Sequence, residues 1–470
     1  MFFGMEVEHN CGFCVTHTLH DVYSFIKALQ HRGREAAGIA FIGDNRIDVI
    51  KWSGKVNRFD IKDLYTLFPS KDYHTYLAHV RYATRGRKDK ILWDAHPQVI
   101  GGKVTVRDNH VIIADCDAVM VHNGQIDAAY LRDVDARDLR GDCDTEALLH
   151  SYIKSDIQGL LSSIPGSYTL AVAKKGEGVV VLRDLTGIKP GALGWKDGKY
   201  VVSSEDIAFK KNGARFIGDL EPGHAYYLYP NGDYSKKEMV AARTQHCFFE
   251  WNYISDVDST LDGVSVRRIR QELGSELAKE FPLEVDYVSF LPRCPEVAAR
   301  AYAEAINASF IDIFYKTRDE RSFLGSTTEE RKKSISGNLF LLPKVNGNDL
   351  KETLKGKTIA IIDDSTIRGN NSKRAIELLR RELGVKKIYF INYTPQIGII
   401  GEDGVARGCL YGVDMPPTDD FIARGKTSEE ISEEIGAEVL FLSKEGMLSC
   451  FEKLGISKRN LCHFCIGGPR

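Results

Sequence analysis

The apolar positions of the chain fall into two regimes. Up to about residue 240, short runs rich in Val, Ile, Ala and aromatic residues are separated by Gly, Asn and Asp turn signals. AGIAFIG (Ala37–Gly43), YLAHVRYAT (Tyr76–Thr84), AVMVHNG (Ala118–Gly124), SYTLAVA (Ser167–Ala173) and GVVVLRD (Gly178–Asp184) read as strands. HDVYSFIKALQ (His20–Gln30) sets Val22, Phe25, Ile26 and Leu29 at helical spacing, and DTEALLHSYI from Asp144 repeats that pattern. Strands with few long helices predict two sheets covered by helices. The later half alternates instead. A long helix over Val264–Phe281 precedes a strand (Asp286–Pro292), a helix (Pro295–Ala305), a buried strand (Thr358–Ser365), a helix (Ser372–Leu383) and a strand (Lys387–Thr394). That order predicts a parallel sheet. The polar stretch Ala241–His246 marks the boundary, giving domains over 11–245 and 246–470.

Composition narrows the field by exclusion. At 470 residues the chain is long enough for two or three domains, and 43% hydrophobic with 27% charged residues is ordinary for a soluble protein. Lys and Arg number 63 against 65 Asp and Glu, so charge gives no reason to expect a nucleic-acid or membrane partner. No apolar run reaches the ~18 residues of a membrane span. MFFGMEVEHN lacks the basic and apolar regions of an export signal. A cytoplasmic, reducing compartment is expected, in which the ten cysteines read as thiols, metal ligands or catalytic groups.

Cys11 and Cys14 form a C-x-x-C near the start of the chain. A redox pair would follow a strand and open a helix, and residues 1–10 do not read as a strand. Half of a metal site and an inert buried thiol are the other plain readings. A further one is chemical. A Cys at a mature N-terminus can use its own α-amino group, of pKa roughly 7.7–8.0, as general base. That requires removal of residues 1–10 as a propeptide.

Six segments occur in order: LQHRGREAAGIA (Leu29–Ala40), HVRYATRG (His79–Gly86), HNGQI (His122–Ile126), DTEALLH (Asp144–His150), GSYTLAV (Gly166–Val172) and RDLTGIKPGALG (Arg183–Gly194). Each alone is weak; together they resemble the class II glutamine amidotransferases. The resemblance implies an α+β N-terminal-nucleophile glutaminase domain, an αββα sandwich. It makes Cys11 the nucleophile, Asn123 and Gly124 the oxyanion hole, Arg81 the clamp on the glutamine α-carboxylate, and Asp144 the acceptor of its α-ammonium. Cys14 stands where that family commonly has Gly, and is expected to be structural. DAHPQV, around Asp94, departs from the usual Asn/Gln-Pro-Phe.

In the second half, IAIIDDSTIRGNNSKRAIELL (Ile359–Leu379) runs from an apolar strand into two aspartates, a small-residue loop and a helix. Such a turn offers backbone N–H groups and a helix N-terminus to a phosphate, and carboxylates to sugar hydroxyls. The bland alternative is an acidic turn capping a helix. The stretch resembles the signature of type I phosphoribosyltransferases, implying an α/β domain with a parallel sheet. By that resemblance Asp363 and Asp364 meet the ribose hydroxyls of phosphoribosylpyrophosphate and the Mg2+ that bridges it. Ser365, Thr366, Arg368, Gly369, Asn370 and Asn371 wrap its 5-phosphate. Lys316, Arg318 and Arg321 stand in a basic loop that could hold pyrophosphate.

Three further segments, Cys247–Glu280, Glu320–Pro343 and Gly408–Ala423, are similar to those of the amidophosphoribosyltransferase family. The resemblance then covers nearly the whole chain from Cys11. It implies conversion of glutamine and phosphoribosylpyrophosphate to 5-phosphoribosylamine, glutamate and pyrophosphate, opening purine synthesis. It also implies a homo-oligomer, dimer or tetramer, with nucleotide feedback inhibitors as candidate partners. One subgroup binds a [4Fe–4S] cluster through cysteines that match Cys247, Cys409, Cys462 and Cys465, and carries a short cleaved leader. Four thiolates also suit Zn2+. The family's V-P-D-S-G loop reads FLPRCPEVAA here, with Arg293, Cys294 and Pro295 for Asp, Ser and Gly. Two other readings therefore stay open: a paralogue with an active glutaminase and another phosphate-bearing acceptor, and a non-catalytic nucleotide sensor.

Overall fold

The computed structural model describes residues 11–69, 72–82, 90–126, 131, 134–154, 157, 159, 161, 166–292, 294–316, 339–411, 415–418 and 420–469. Two compact units emerge. The first comprises the chain to Glu250 with Ile254–Gly263 and Tyr411; the second holds Trp251–Tyr253, Val264–Leu410 and the C-terminal segment.

The first unit is built on thirteen strands linked into one hydrogen-bonded path: β1 (Gly12–Thr16), β2 (Ala36–Gly43), β3 (Ile47–Ser53), β4 (Tyr73–Arg81), β5 (Gln98–Val106), β6 (His110–Ile126), β7 (Gly166–Lys174), β8 (Val179–Arg183), β9 (Ala192–Lys196), β10 (Lys199–Ser203), β11 (Arg215–Asp219), β12 (His224–Leu228) and β13 (Tyr234–Glu238). Their order is β11-β9-β10-β1-β4-β2-β3-β6-β7-β8-β12-β13, with β5 also on β6. The long β6 makes a sandwich of this path. Its first part pairs with β3 and its last part, Ala118–Ile126, with β7, and between them Asp115 adopts φ 61°.

Side-chain alternation explains the layers. Phe13, Val15, Leu77, Val119, Val121, Ala171 and Ala173 fill the core between the sheets. Cys14, Ala78 and Val80 face outward beneath helix α1 (Leu19–Ala28), whose Leu19, Val22, Phe25 and Ile26 cover them. Met120, Leu170 and Val172 face the other way, under Ala147, Leu148 and Leu149 of helix α2 (Asp144–Lys154). Helix, sheet, sheet, helix is the expected αββα order. Thr18 caps α1 by accepting from the Asp21 N–H.

The second unit holds a parallel sheet: β14 (Tyr287–Phe290), β15 (Ser309–Phe310), β16 (Thr358–Asp363), β17 (Lys387–Asn392) and β18 (Glu438–Phe441), in the order β15-β14-β16-β17-β18. Helices α3 (Val266–Glu280) and α4 (Glu296–Ala305) and helix α5 (Asn370–Arg381) provide the crossovers and cover. α3 starts two residues later than the pattern predicts, because Ser265 caps it through its hydroxyl. α5 starts two residues earlier, so Asn370 and Asn371 lie in its first turn and not in the loop. The strand order reverses between β14 and β16, and the crevice at the carboxyl ends of such strands is where open α/β sheets bind ligands. Among the described residues no helix is long and apolar enough to cross a membrane.

Candidate functional site

In the first unit, pairing brings two of the predicted residues, Cys11 and Arg81, together. Gly12 pairs with Val80, so Cys11 comes beside Arg81 at the end of β4. Cys11 is fully buried, and its carbonyl accepts from Arg32 Nε at 2.9 Å. Arg32, fully buried in the HRG turn, also pairs with Glu205 at 2.5 Å and Glu250 at 3.1 Å. Glu250 in turn meets Lys189 at 3.3 Å, and Glu205 meets His31 at 2.8 Å. No sequence pattern assigned a role to Arg32, although its motif was legible.

Arg81 and His79 lie two apart on β4 and share the inner face with Leu77. Arg81 is buried, with Nη1 2.6 Å from Glu35 and Nη2 3.6 Å from Asp94. On β6, Asn123 shares the inner face with Val121. Its amide is fully buried, and neither its oxygen nor its nitrogen has a hydrogen-bond partner among the described residues. Gly124 follows at φ 154°, and a Cβ there would stand 2.0 Å from the Ser167 carbonyl, so the backbone at this point admits only glycine. Asp144 opens α2 and is fully buried. It accepts from Ile126 N at 3.0 Å and from Thr145 Oγ1 at 3.3 Å. Burial dominates these bonds and raises its pKa to about 6. A carboxylate so placed favours a cationic partner, and an amide with no partner is poised for an oxygen acceptor or a donor of the ligand. Cys14 is different: it is buried under α1, and burial pushes its thiol far above the ordinary range, so it is not a reactive partner for Cys11.

In the second unit, Asp363 ends β16 and Asp364 follows, both nearly buried. Asp364 N donates to Asp363 Oδ1 at 3.0 Å, and Ser365 Oγ donates to Asp364 Oδ2 at 2.7 Å. Burial raises both carboxyls, Asp363 further because the Asp364 charge adds to it; the cation of Lys316 opposes the rise in each. Thr366 bonds Asn392 at 2.8 Å, fixing the loop to the neighbouring strand. Gly369 takes φ 74° as it enters α5, against Ile422. Arg368 lies half-buried in the same loop. Arg318, Arg321 and Arg293 lie outside the described residues.

The altered loop presents its thiol inward. Cys294 Sγ donates to the Asn252 carbonyl at 3.1 Å and lies 3.3 Å from the Tyr393 hydroxyl, which itself donates to Asn252 at 2.7 Å. Pro295 occupies the cap position of α4, where its missing N–H costs nothing. Arg270 of α3 is a residue the sequence did not single out. It is buried, bonded to the Trp251 carbonyl at 2.9 Å, and its charge acts on Asp364, Cys294 and Tyr393.

Of the cysteines in the second unit, Cys462 and Cys465 are half-buried, and so is Cys409. The Cys465 carbonyl accepts from Gly398 N at 2.9 Å, and the Arg407 guanidinium stacks 4.7 Å over Phe464, so the segments carrying Cys409 and Cys465 are neighbours. Cys247 belongs to the first unit. Among the described residues no three His, Cys, Asp or Glu side chains stand gathered as a metal ion requires.

A family model described as a glutamine amidotransferase domain matches residues 106–211, which contain Asn123, Gly124 and Asp144. The amidophosphoribosyltransferase of Archaeoglobus fulgidus is 30% identical over 459 residues, 94% of this chain and 93% of that protein. That of Methanothermobacter thermautotrophicus is 29% identical over 98% of this chain and 94% of its own length. Among solved structures, the glutamine phosphoribosylpyrophosphate amidotransferase from B. subtilis, complexed with ADP and GMP, superimposes with a TM-score of 0.77 at 26% identity, covering 98% of this chain and 96% of that one. Likeness of this extent spans both units and both candidate sites, and the chain belongs to the amidophosphoribosyltransferase family.

Proposed function

We propose that this enzyme converts glutamine and phosphoribosylpyrophosphate, with water, to 5-phosphoribosylamine, glutamate and pyrophosphate, the first step of purine synthesis de novo. The observation that carries the reading is the coexistence of two sites in one chain. Cys11 comes beside Arg81 at the end of β4, β6 carries an Asn123 amide without a hydrogen-bond partner among the described residues and is bonded to buried Asp144, and a double-aspartate turn ends the central strand of a parallel sheet.

The roles follow from the chemistry. Arg81 takes the α-carboxylate of glutamine and Asp144 its α-ammonium. The Cys11 thiolate attacks the side-chain carbonyl carbon, and the oxygen charge that develops is met by the Asn123 amide and the Gly124 N–H. Collapse expels ammonia and leaves a γ-glutamyl thioester, which water hydrolyses. The base is the α-amino group of Cys11 after loss of residues 1–10, a segment outside the described residues. Ammonia then displaces pyrophosphate from C1 of the sugar. Asp363 and Asp364 receive the ribose hydroxyls, residues 365–371 the 5-phosphate, and Lys316 with Arg318 and Arg321 the leaving group.

The paired carboxylates are the groups that would hold Mg2+, which neutralises pyrophosphate charge when bound. Cys247, Cys409, Cys462 and Cys465 are our ligand set for a [4Fe–4S] cluster, with Zn2+ the alternative. The thiols fit in donor chemistry and the Cys409 and Cys465 segments in their neighbourhood, although the side chains are not gathered as ligands. Iron, zinc and acid-labile sulfide assayed on anaerobically purified protein decide between cluster, zinc and neither. A cytoplasmic homo-oligomer, with nucleotides as feedback inhibitors, completes the reading.

The test is an anaerobic assay with glutamine, Mg2+ and phosphoribosylpyrophosphate, following glutamate and pyrophosphate together. Matched release is expected. Glutamate without pyrophosphate would leave the glutaminase and remove the sugar acceptor, pointing to the Cys294 loop. Release of neither from a processed chain would favour a sensor.

A further inference from the structure

Three histidines lie fully buried behind the glutamine site without an assigned role: His79 on β4, His96 in the turn before β5, and His122 on β6. The rings of His79 and His96 stack, centroids 4.1 Å apart and planes 28° apart. His79 Nε2 lies 3.0 Å from the main-chain oxygen of His122. A carbonyl oxygen only accepts, so His79 carries its proton on Nε2. Its Nδ1 is buried with no hydrogen-bond partner among the described residues. His122 Nδ1 lies 2.9 Å from Thr145 Oγ1, whose hydroxyl donates to Asp144. Burial drives the pKa of His79 and His122 down to about 3, and that of His96 well below the ordinary value, so the rings are neutral at any working pH. Among the described residues the three rings are not gathered in the arrangement a metal ion requires.

The His79 bond crosses the sandwich. β4 and β6 are not neighbours in the sheet order, yet this bond ties the strand of Arg81 to the peptide preceding Asn123. The turn carrying His96 is itself anchored. Gln98 Nε2 donates to the Trp93 and Ala95 carbonyls at 3.1 Å, Lys51 Nζ to Trp93 at 3.0 Å, and Asp94 Oδ1 accepts from Asp142 N at 2.8 Å. It can lie on the sheet only because β2 has Gly38 there: a Cβ would stand 2.2 Å from the His96 oxygen and 3.1 Å from Pro97 Cδ. One turn thus touches β4 twice, Asp94 at Arg81 and His96 at His79.

We propose that His79, seated by the His96 ring, is a positioning residue: its Nε2–H holds the His122–Asn123 peptide so that the oxyanion donors stand at a fixed distance from the Arg81 clamp. The inference rests on the glutaminase reading above. A donor acting only on the transition-state oxygen moves kcat and leaves substrate binding in place.

The experiment measures glutamate release by His79→Ala, His79→Gln and His96→Ala beside the wild-type enzyme, with ammonia-dependent phosphoribosylamine formation as the readout of intact folding. His79→Ala is expected to lose ~10²-fold in kcat, the scale of a displaced catalytic group, with glutamine KM within about threefold. His79→Gln keeps an N–H donor and is expected to recover to within ~10-fold of wild type. His96→Ala keeps the donor but unseats it, and is expected to fall between. If His79→Ala does not accumulate as folded protein, the His96→Ala and His79→Gln pair carries the same split. Equal kcat in all variants, a KM effect alone, or glutamine activity as low in His79→Gln as in His79→Ala would overturn the proposal. A wild-type enzyme without glutaminase activity would instead overturn the reading beneath it.

Discussion

Arg81 reaches Glu35 at 2.6 Å through one terminal nitrogen while the other stands 3.6 Å from Asp94. The guanidinium is therefore held by protein carboxylates on two sides, and its planar fork is set by the fold, ready for the carboxylate it is proposed to take. A lysine in its place carries the charge without the fork. Arg81→Lys is expected to raise the glutamine KM by ~10–100-fold, the scale of a charge-assisted hydrogen bond of about 1.5–3 kcal/mol. Ammonia-dependent turnover should stay as it is. Steady-state kinetics with each nitrogen source checks both halves.

Asp144 gives a pH dependence. Burial raises its carboxyl to about 6 against the bonds from Ile126 and Thr145. On the proposed role of Asp144 a substrate ammonium binds the ionised form, so the glutamine KM is expected to fall as pH rises through about 6 and then level off. Asp144→Asn should remove that limb and leave a high, flat KM. The effect on stability has the opposite sign. A folded pKa above the unfolded value stabilises the protein at low pH, and that contribution is lost as pH rises from about 4 to 6.

The Arg32 network predicts fragility. Arg32, Glu205 and Glu250 are all buried, so removing one leaves an uncompensated charge. Arg32→Met or Glu205→Gln is expected to cost about 3–5 kcal/mol, read as a lower thermal midpoint. Burial alone would raise the Glu205 carboxyl, but the charges of His31 and Arg32 overcome it and hold it well below the ordinary range. Its contribution is therefore present above the unfolded pKa and is lost as pH falls. Thermal melts between pH 7 and pH 3 test the sign, with Glu205→Gln flattening the acid limb.

Cys294 should be a slow thiol. Burial raises its pKa to about 11, only partly offset by Arg270. Mass-mapped alkylation of native protein near pH 8 is expected to label it far more slowly than the same residue in the denatured chain. Cys294→Ser keeps a donor toward Asn252, and its melting curve is expected to shift by less than about 1 kcal/mol.

What the sequence made legible was local or periodic. The apolar run of Ala118–Gly124 announced a strand, and the period of two of any strand places Asn123 on the inner face with Val121. The hairpin of β9 and β10 went unread, although Asp197 and Gly198 between them, at φ 49° and 83°, are the residues such a turn uses. Other features have no local signal. Arg32 finds Glu205 and Glu250 at separations of 173 and 218 residues. His96 looked like a lapse from a motif until its ring was placed against His79. Arg270 sits in an amphipathic helix among other cations, and only the fold distinguishes it from Arg267 and Arg268, which point to the surface.

The pairing of β1 has a consequence for the order of events at synthesis. Cys14 and Val15 pair with Ser203 and Val202, and Phe13 exchanges hydrogen bonds with Ser204. Strand β1, which follows Cys11 directly, therefore lacks one of its two neighbours until residue 204 has left the ribosome. At about 5–20 residues per second that delay is roughly 10–40 s, during which Cys11 stands on an unfinished fold. The end of β1 where Cys11 comes beside Arg81 is thus among the later parts of the first unit to mature, although β1 is made well before its partner strand β10.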